Sequence, residues 1–141
     1  MATWSKYELF VTAQFADAVI DWDTDTIKIA LVSDTPTAAT DNYFDDVTEV
    51  TAGGSYTAGG ITLTCTDANA SGTLTVSSAT SVTWAQNASS PTNATYAVLY
   101  KSTGTASTSP LVAYLNLGQT VDLTAGSLTI TLTSNEIFSV T

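Results

Sequence analysis

Three aspartates at alternate positions, Asp21, Asp23 and Asp25, are spaced like the opening of a calcium-binding loop. In such a loop, alternate carboxylates point at one hard cation. The EF-hand pattern also needs glycine at its sixth position and glutamate at its twelfth, where this sequence has Thr26 and Val32. The triplet therefore indicates a solvated acidic turn in preference to a calcium site, and we predict no bound metal.

A second acidic cluster follows in a polar segment. Its members are Asp41, Asp45, Asp46 and Glu49. Runs of like charge are typical of solvated chain segments. We interpret this cluster as a wet loop rather than a metal cage.

The side chains that usually move protons or hold anions are scarce. The sequence contains no histidine and no arginine, and its cations are Lys6, Lys28 and Lys101. Histidine is the usual acid–base group near neutral pH, and arginine is the usual clamp for phosphate or carboxylate. The thirteen acidic residues leave a carboxylate pair for glycoside hydrolysis formally available. Because polar loops do not raise the pKa of a general acid, we predict no catalytic residues and no cofactor.

The aromatic residues allow two interpretations. Trp4, Trp22 and Trp84, together with six tyrosines, have the chemistry of a sugar-binding platform. At alternating strand positions, however, aromatic residues are more often core, and Trp84 shares a strand face with Val82. We favour the core interpretation. The single cysteine, Cys65, has no partner for a disulfide within the chain, and we predict a buried, inert thiol.

Charge restricts the class of partner. The formal net charge is −10 over 141 residues. A chain with so few cationic side chains cannot displace the counterions of DNA or RNA, and anionic lipid repels it. No apolar run approaches the length of a membrane span, and the first residues lack the pattern of a signal peptide. We therefore expect a chain made in the cytoplasm, with a basic protein surface as its partner and neither nucleic acid nor a membrane.

Short alternating segments rich in threonine indicate an all-β fold. We predict one domain over residues 1–141, an antiparallel β-sandwich of immunoglobulin-like or jelly-roll type over 27–140 with a short N-terminal helix over 5–20. The helix rests on apolar spacings of three and four and on a Ser5–Glu8 capping pair. The expected strands are 27–32, 61–65, 73–76, 82–84, 94–101, 111–117, 121–123, 127–133 and 137–140. We expect 27–32 to be a central strand, 67–72 to be a turn, and Tyr56 to hold its glycine-rich loop to the core.

Five segments resemble, in order and spacing, a family of small tailed-phage virion proteins that are taken to be capsid decoration or cement proteins. These segments read DWDTDTIKIALV, YTAGGITL, VTW, YAVLYK and SPLVAY, and they begin at residues 21, 56, 82, 96 and 109. The family usually has an arginine just before the segment that matches Tyr96, where this chain has Thr95. A partner contact made by that arginine would be missing here.

The resemblance implies a structural protein on the outer surface of an icosahedral shell, bound across junctions of the major capsid protein. It also implies a homo-oligomer, for which we favour a trimer over a dimer. Two further interpretations remain open: a head-fibre or tail adhesion module that binds a host surface glycan, and a small cytoplasmic glycosidase.

Loops on a rigid scaffold are where partner contacts usually lie. We therefore expect shell contacts in the loop 34–46 and in the flexible hairpin tip 102–109. The candidate contact residues are Tyr43, Phe44, Asp45, Asp46, Ser102, Thr103, Thr105 and Ser107.

Overall fold

Antiparallel strands dominate the computed structural model, which describes residues 4–8, 10, 20–78, 81–131 and 136–140. The strands are β1 (Trp4–Lys6), β2 (Ile27–Val32), β3 (Ile61–Leu63), β4 (Cys65–Ala70), β5 (Thr73–Ser78), β6 (Val82–Trp84), β7 (Ala94–Lys101), β8 (Leu111–Val121), β9 (Leu128–Ile130) and β10 (Glu136–Val140). Two 3₁₀ helices, Phe44–Asp46 and Ala106–Thr108, lie in the loops. Within these ranges, no helix is long and apolar enough to cross a bilayer.

The strands form three antiparallel sheets. The largest has the order β1-β8-β7-β2-β3, a second has the order β10-β5-β4, and β6 pairs with β9. β2 has neighbours on both sides, and of its residues only Lys28 is partly exposed. The expectation of an inner position for this apolar strand is therefore confirmed.

One hydrophobic cluster draws side chains from all three sheets. Ile29 and Leu99 enter it from the five-stranded sheet, Val76 from β5, and Trp84 and Ile130 from the β6–β9 pair. Each of these side chains is at most 5% exposed. Burial of apolar area from separate sheets into one cluster is the main stabilising contribution to such a fold.

Several buried positions agree with the sequence. Val82 and Trp84 are 3% and 1% exposed, as expected for residues on one inward face. Cys65 is a free, buried cysteine. Trp22 is also buried, so neither it nor Trp84 is available for a sugar platform.

The N-terminal segment differs from the expected helix over 5–20. Ser5 and Lys6 belong to β1 and pair with Tyr114 and Ala113 of β8, so Ser5 does not cap a helix there. At Ser5 and Lys6, sheet pairing with a long neighbouring strand overrides the local helical pattern, whereas Glu8 and Phe10 have helical backbone. Most of the remaining helix prediction, residues 9 and 11–19, lies outside the described residues.

Strand boundaries in the β4–β5 hairpin were also wrong. The segment 67–70, expected to be a turn, continues β4, and the turn is only Ser71–Gly72, with φ of 53° and 84°. Two-residue hairpin loops favour positive φ because it matches the twist of the strands. Ala70 pairs with Thr73 next to this tight turn, and the pairing continues to Cys65 with Ser78. The polar residues of 67–70 therefore belong to the paired strand.

Elsewhere the bounds shift in smaller ways. The predicted strand 61–65 divides at Thr64 into β3 and β4. β8 extends to Val121, so residues 121–123 are not a separate strand. In the expected strand 127–133, β9 covers Leu128–Ile130, residues 127 and 131 are not in a strand, and 132–133 lie outside the described residues. By contrast, β2, β6 and β7 have the predicted bounds.

Candidate functional site

The two loops chosen from the sequence as contact regions lie side by side. The backbone N–H of Phe44 donates to the Ser109 carbonyl at 2.9 Å, and that of Leu111 donates to the Asn42 carbonyl at 2.9 Å. Tyr43 and Pro110 form an isolated β-bridge. These bonds join residues 42–46 and 102–109 into one continuous surface, which we call the two-loop surface.

Hydroxyl groups close the 102–109 loop upon itself. Thr103 Oγ1 and Thr108 Oγ1 lie 2.6 Å apart, and Ser109 Oγ donates to the Thr105 carbonyl at 2.8 Å. The Ser102 N–H donates to the Thr26 carbonyl at 2.8 Å, which ties the loop to the chain before β2. The hairpin tip expected to be flexible is therefore a hydrogen-bonded structure with its own 3₁₀ helix.

Phe44 supports the two-loop surface from below. Its ring stacks on the Tyr100 ring, with centroids 4.1 Å apart and planes 6° apart, and it is 9% exposed. The Tyr100 hydroxyl donates to the Gly59 carbonyl at 2.8 Å. Burial, with a smaller contribution from the nearby Glu49 charge, raises the pKa of Tyr100 to about 12. Phe44 is therefore a core residue and not an exposed contact.

Tyr43 is the exposed aromatic residue of this surface. It is 40% exposed, and within the described residues it is the only large hydrophobic side chain that is exposed. Asp45 and Asp46 beside it are also exposed. Asp46 Oδ2 accepts from the N–H groups of Asn42 at 2.7 Å and Tyr43 at 2.9 Å. These backbone bonds, the Tyr43 bond first, hold the pKa of Asp46 below its usual value.

The remaining candidate contact residues lie on the neighbouring loop. Thr103, Thr105 and Ser107 are exposed, whereas Ser102 is half-buried. The two-loop surface therefore combines one aromatic ring, two carboxylates and a group of hydroxyls.

A depression of about 280 Å³ lies at the base of the two-loop surface. Its lining includes Lys28, Gly59, Tyr100 and Thr105. In the part of the chain that the structure describes, Lys28 forms no ion pair. The depression therefore offers one ammonium group next to the stacked aromatic pair.

The alternating aspartates lie in a turn whose backbone N–H groups donate hydrogen bonds to carboxylates of the same turn. Asp21 Oδ1 accepts from the N–H groups of Asp23 and Thr24, and Asp25 Oδ2 accepts from the Asp21 N–H at 2.8 Å. Asp25 Oδ2 also lies 2.8 Å from Lys101 Nζ. Two of the three carboxylates thus accept hydrogen bonds from backbone N–H groups before β2. Within the described residues, the three are not grouped so as to hold a metal ion.

The second acidic cluster lies in the connection between β2 and β3, where its carboxylates bind different partners. Asp41 Oδ2 accepts from the Thr37 N–H at 2.6 Å, and Glu49 Oε1 accepts from the Tyr56 hydroxyl at 2.7 Å. Across the described ranges, no group of three histidine, cysteine, aspartate or glutamate side chains is arranged to hold a metal ion.

A second concave surface was missed by the sequence reasoning. It is an open groove of about 310 Å³ at the opposite end of β7 from the two-loop surface. Its lining residues are Ser33, Thr35, Thr95, Tyr96, Asn116, Gln119 and Thr120. They come from three distant segments and form no motif, so no sequence signal marks them.

Comparisons with known proteins add no assignment: no protein-family model, curated protein or solved structure matches this chain. The functional argument therefore depends on the residues and on their arrangement.

Proposed function

We propose that this chain is a structural protein of a tailed-phage virion, a capsid decoration protein that binds the outer shell surface across junctions of the major capsid protein. The observation that carries the proposal is the union of loops 42–46 and 102–109 in one surface around Tyr43. The segment 42–46 is part of the loop 34–46, and this loop and 102–109 were selected from the sequence independently of their proximity. The family resemblance supplies the shell as the partner.

The proposal includes a β-sandwich architecture, of immunoglobulin-like or jelly-roll type. It is supported by the single hydrophobic cluster that receives side chains from the five-stranded sheet and from both smaller sheets. Two packed layers of strands around one core are the usual way for antiparallel sheets to bury their apolar faces. Such a scaffold holds surface loops in fixed positions, which reduces the entropy lost on binding.

The two-loop surface has the composition of a protein contact. Tyrosine is among the residues that most often dominate interface energetics, because its rigid ring covers a large area at a low entropic cost. A stable interface buries roughly 1,200–2,000 Å² in total. We propose that several copies, as a trimer in preference to a dimer, attach together, because simultaneous contacts add avidity without any one of them being tight.

Counting the copies in purified particles of the encoding phage tests the proposal. Quantitative mass spectrometry should find hundreds of copies per virion, and a cryo-electron microscopy map should place them over the shell. A few dozen copies or fewer at a vertex or on the tail would instead favour the adhesion module. Absence from intact virions would overturn both.

A pair of variants tests the contact surface itself. Tyr43→Ala should lower affinity for undecorated shells by at least about tenfold, as expected for an interface anchor. Thr62→Ala, at an exposed position in β3, is the control and should bind normally. Both variants should keep the unfolding transition of the parent chain. Equal binding by the two variants would remove Tyr43 from the interface.

A further inference from the structure

The groove at the far end of the five-stranded sheet is built by a large irregularity in β8. Tyr96 pairs with Asn116 and Ala94 pairs with Val121, so residues 117–120 lie opposite Thr95 alone. Gly118 within this excursion has φ of 76°, in the left-handed region that glycine adopts readily. Bulges of this kind bend a strand and re-aim its side chains, and they are common beside binding sites.

The excursion places amide and hydroxyl groups opposite the loop that follows β2. Gln119 and Thr120 belong to β8, and Ser33 and Thr35 follow β2; these two strands flank β7, and all four residues line the groove. Its volume of about 310 Å³ lies at the lower end of the range for small-molecule sites. Every lining side chain is polar and uncharged, in a chain whose net charge is −10.

Internal hydrogen bonds fix the polar groups at the groove floor. Asn116 Oδ1 accepts from the Gly118 N–H at 2.8 Å, and Asn116 Nδ2 donates to the Tyr96 hydroxyl at 3.3 Å. The Tyr96 ring also packs edge-on against Tyr114, with centroids 6.3 Å apart. The Tyr96 hydroxyl therefore accepts a bond from Asn116 and keeps its own proton for another acceptor.

The rim groups have unused hydrogen-bonding capacity. Within the described ranges, the side chains of Thr35, Gln119 and Thr120 form no hydrogen bond with other protein groups. Each hydroxyl both donates and accepts, and the amide of Gln119 supplies separate donor and acceptor atoms. A ligand with several adjacent hydroxyl groups matches this arrangement.

We propose that the groove binds a neutral carbohydrate. Sugar hydroxyls pair with the rim amide and hydroxyls, while the Tyr96 ring offers apolar area for a sugar face. An anionic ligand would meet no cation in the lining and would be repelled by the net charge. A cationic ligand would meet no carboxylate there, and an apolar ligand would leave the polar groups unpaired.

The position of the groove keeps it separate from the two-loop surface. Tyr96 lies near the start of β7, whereas the 102–109 loop follows its end. At about 3.3 Å per residue, the two regions are roughly 20 Å apart along the strand. A copy attached through the two-loop surface, as in the proposed function, would leave the groove open to solvent.

Amide chemical-shift titration of the isolated chain tests the proposal. The probes are the neutral oligosaccharides maltohexaose, mannohexaose, cellohexaose and chitotetraose, with an oligogalacturonate as the acidic comparison. At least one neutral probe should shift the resonances of Tyr96, Asn116 and Gln119 with millimolar affinity, and the acidic probe should not. Shifts confined to other residues, equal binding of the acidic probe, or no shifts at all would overturn the proposal.

Two variants link binding to the groove. Gln119→Ala and Tyr96→Phe should each lower affinity for the bound probe by about threefold to tenfold, the effect of one lost hydrogen bond. Asn69→Ala, on an exposed stretch of β4, is the control and should leave affinity unchanged. If both groove variants bind like the control, the carbohydrate lies elsewhere and the proposal fails. Shell attachment is measured separately, so failure of either property leaves the other intact.

Discussion

At the scale of single residues, the Tyr56 hydroxyl connects three segments. It accepts from the Leu31 N–H at 3.1 Å and donates to Glu49 Oε1 at 2.7 Å, and the same carboxylate oxygen accepts from the Gly59 N–H. Tyr56 is 2% exposed. The sequence-based expectation that it holds the glycine-rich loop to the core is therefore confirmed, and the contact is polar as well as apolar.

Replacing this hydroxyl should be costly. Tyr56→Phe leaves the buried Leu31 N–H without its partner and removes a bond to Glu49, so we expect a loss of about 1–3 kcal/mol in the free energy of unfolding. Chemical denaturation measures it. Tyr43→Phe removes a hydroxyl from an exposed ring and is the matched control, with an expected change near zero. Equal losses in the two variants would contradict the role of the Tyr56 hydroxyl.

Cys65 should be chemically silent in the folded chain. Burial raises the pKa of its thiol from 9.0 to about 11. At neutral pH, the thiolate population is then about a hundredfold lower than in the unfolded chain, and the thiolate is the reactive form. A thiol-reactive disulfide reagent should therefore modify the native chain at least about a hundredfold more slowly than the chain in denaturant. Comparable rates would show that the thiol is accessible.

At the scale of elements, the 42–46 turn should respond to acid through Asp46. Its carboxylate accepts two backbone N–H bonds that favour the ionised form, so the folded-state pKa lies below 3.8. The stabilisation is complete above pH 3.8 and is lost as the pH falls through the lower folded-state value. Because Asp46 is exposed, solvent screening keeps the effect local.

Amide resonances of Asn42 and Tyr43 report this titration. Their midpoint should lie below 3.8, and Asp46→Asn should abolish the transition and speed hydrogen exchange at both amides. Asp45→Asn removes a charge from the same 3₁₀ helix and should preserve the transition. A transition that survives Asp46→Asn would assign it to another carboxyl group.

An element can be predicted from the sequence when the residues that determine it lie close together in the chain. β6 and β7 are predicted with correct bounds because their apolar pattern is clear and polar loops flank them. β1 is missed because three residues carry little periodicity and the apolar spacing that follows is helical. The β4 extension over 67–70 is missed because Asp67 and Asn69 favour turns locally, whereas pairing with β5 determines the outcome.

The candidate sites likewise include features that the sequence predicts and features that it does not. The contact loops are predictable as loops, but their union is not, because it depends on where the β7–β8 hairpin meets the segment 42–46. Phe44 is misassigned because nothing in the local sequence reveals its stacking on Tyr100. The groove is invisible in the sequence because the β8 excursion that builds it arises from pairing between strands.

At the scale of the whole molecule, the charge of −10 should govern association. Under the proposed function, the acidic chain would be steered toward a basic rim of the shell, and salt screens such an attraction over a distance of about 10 Å at 0.1 M ionic strength. We expect affinity for shells to fall as salt is added, mainly through slower association. Binding kinetics at several ionic strengths measure this. Rates that are indifferent to salt would contradict electrostatic steering.

The edge strands of the sheets affect the tendency of the protein to aggregate. Within the described part of the chain, the five-stranded sheet ends in β1 and β3, each three residues long, and β1 ends with the exposed Lys6. The three-stranded sheet ends in β4 and β10, and the longer of these two edge strands, β4, carries Asp67 near its middle. Unpaired strand margins are templates for aggregation, and short length and charge oppose it. Concentrated solutions of this protein should therefore resist fibril growth, leaving loops and side chains as the means of self-association.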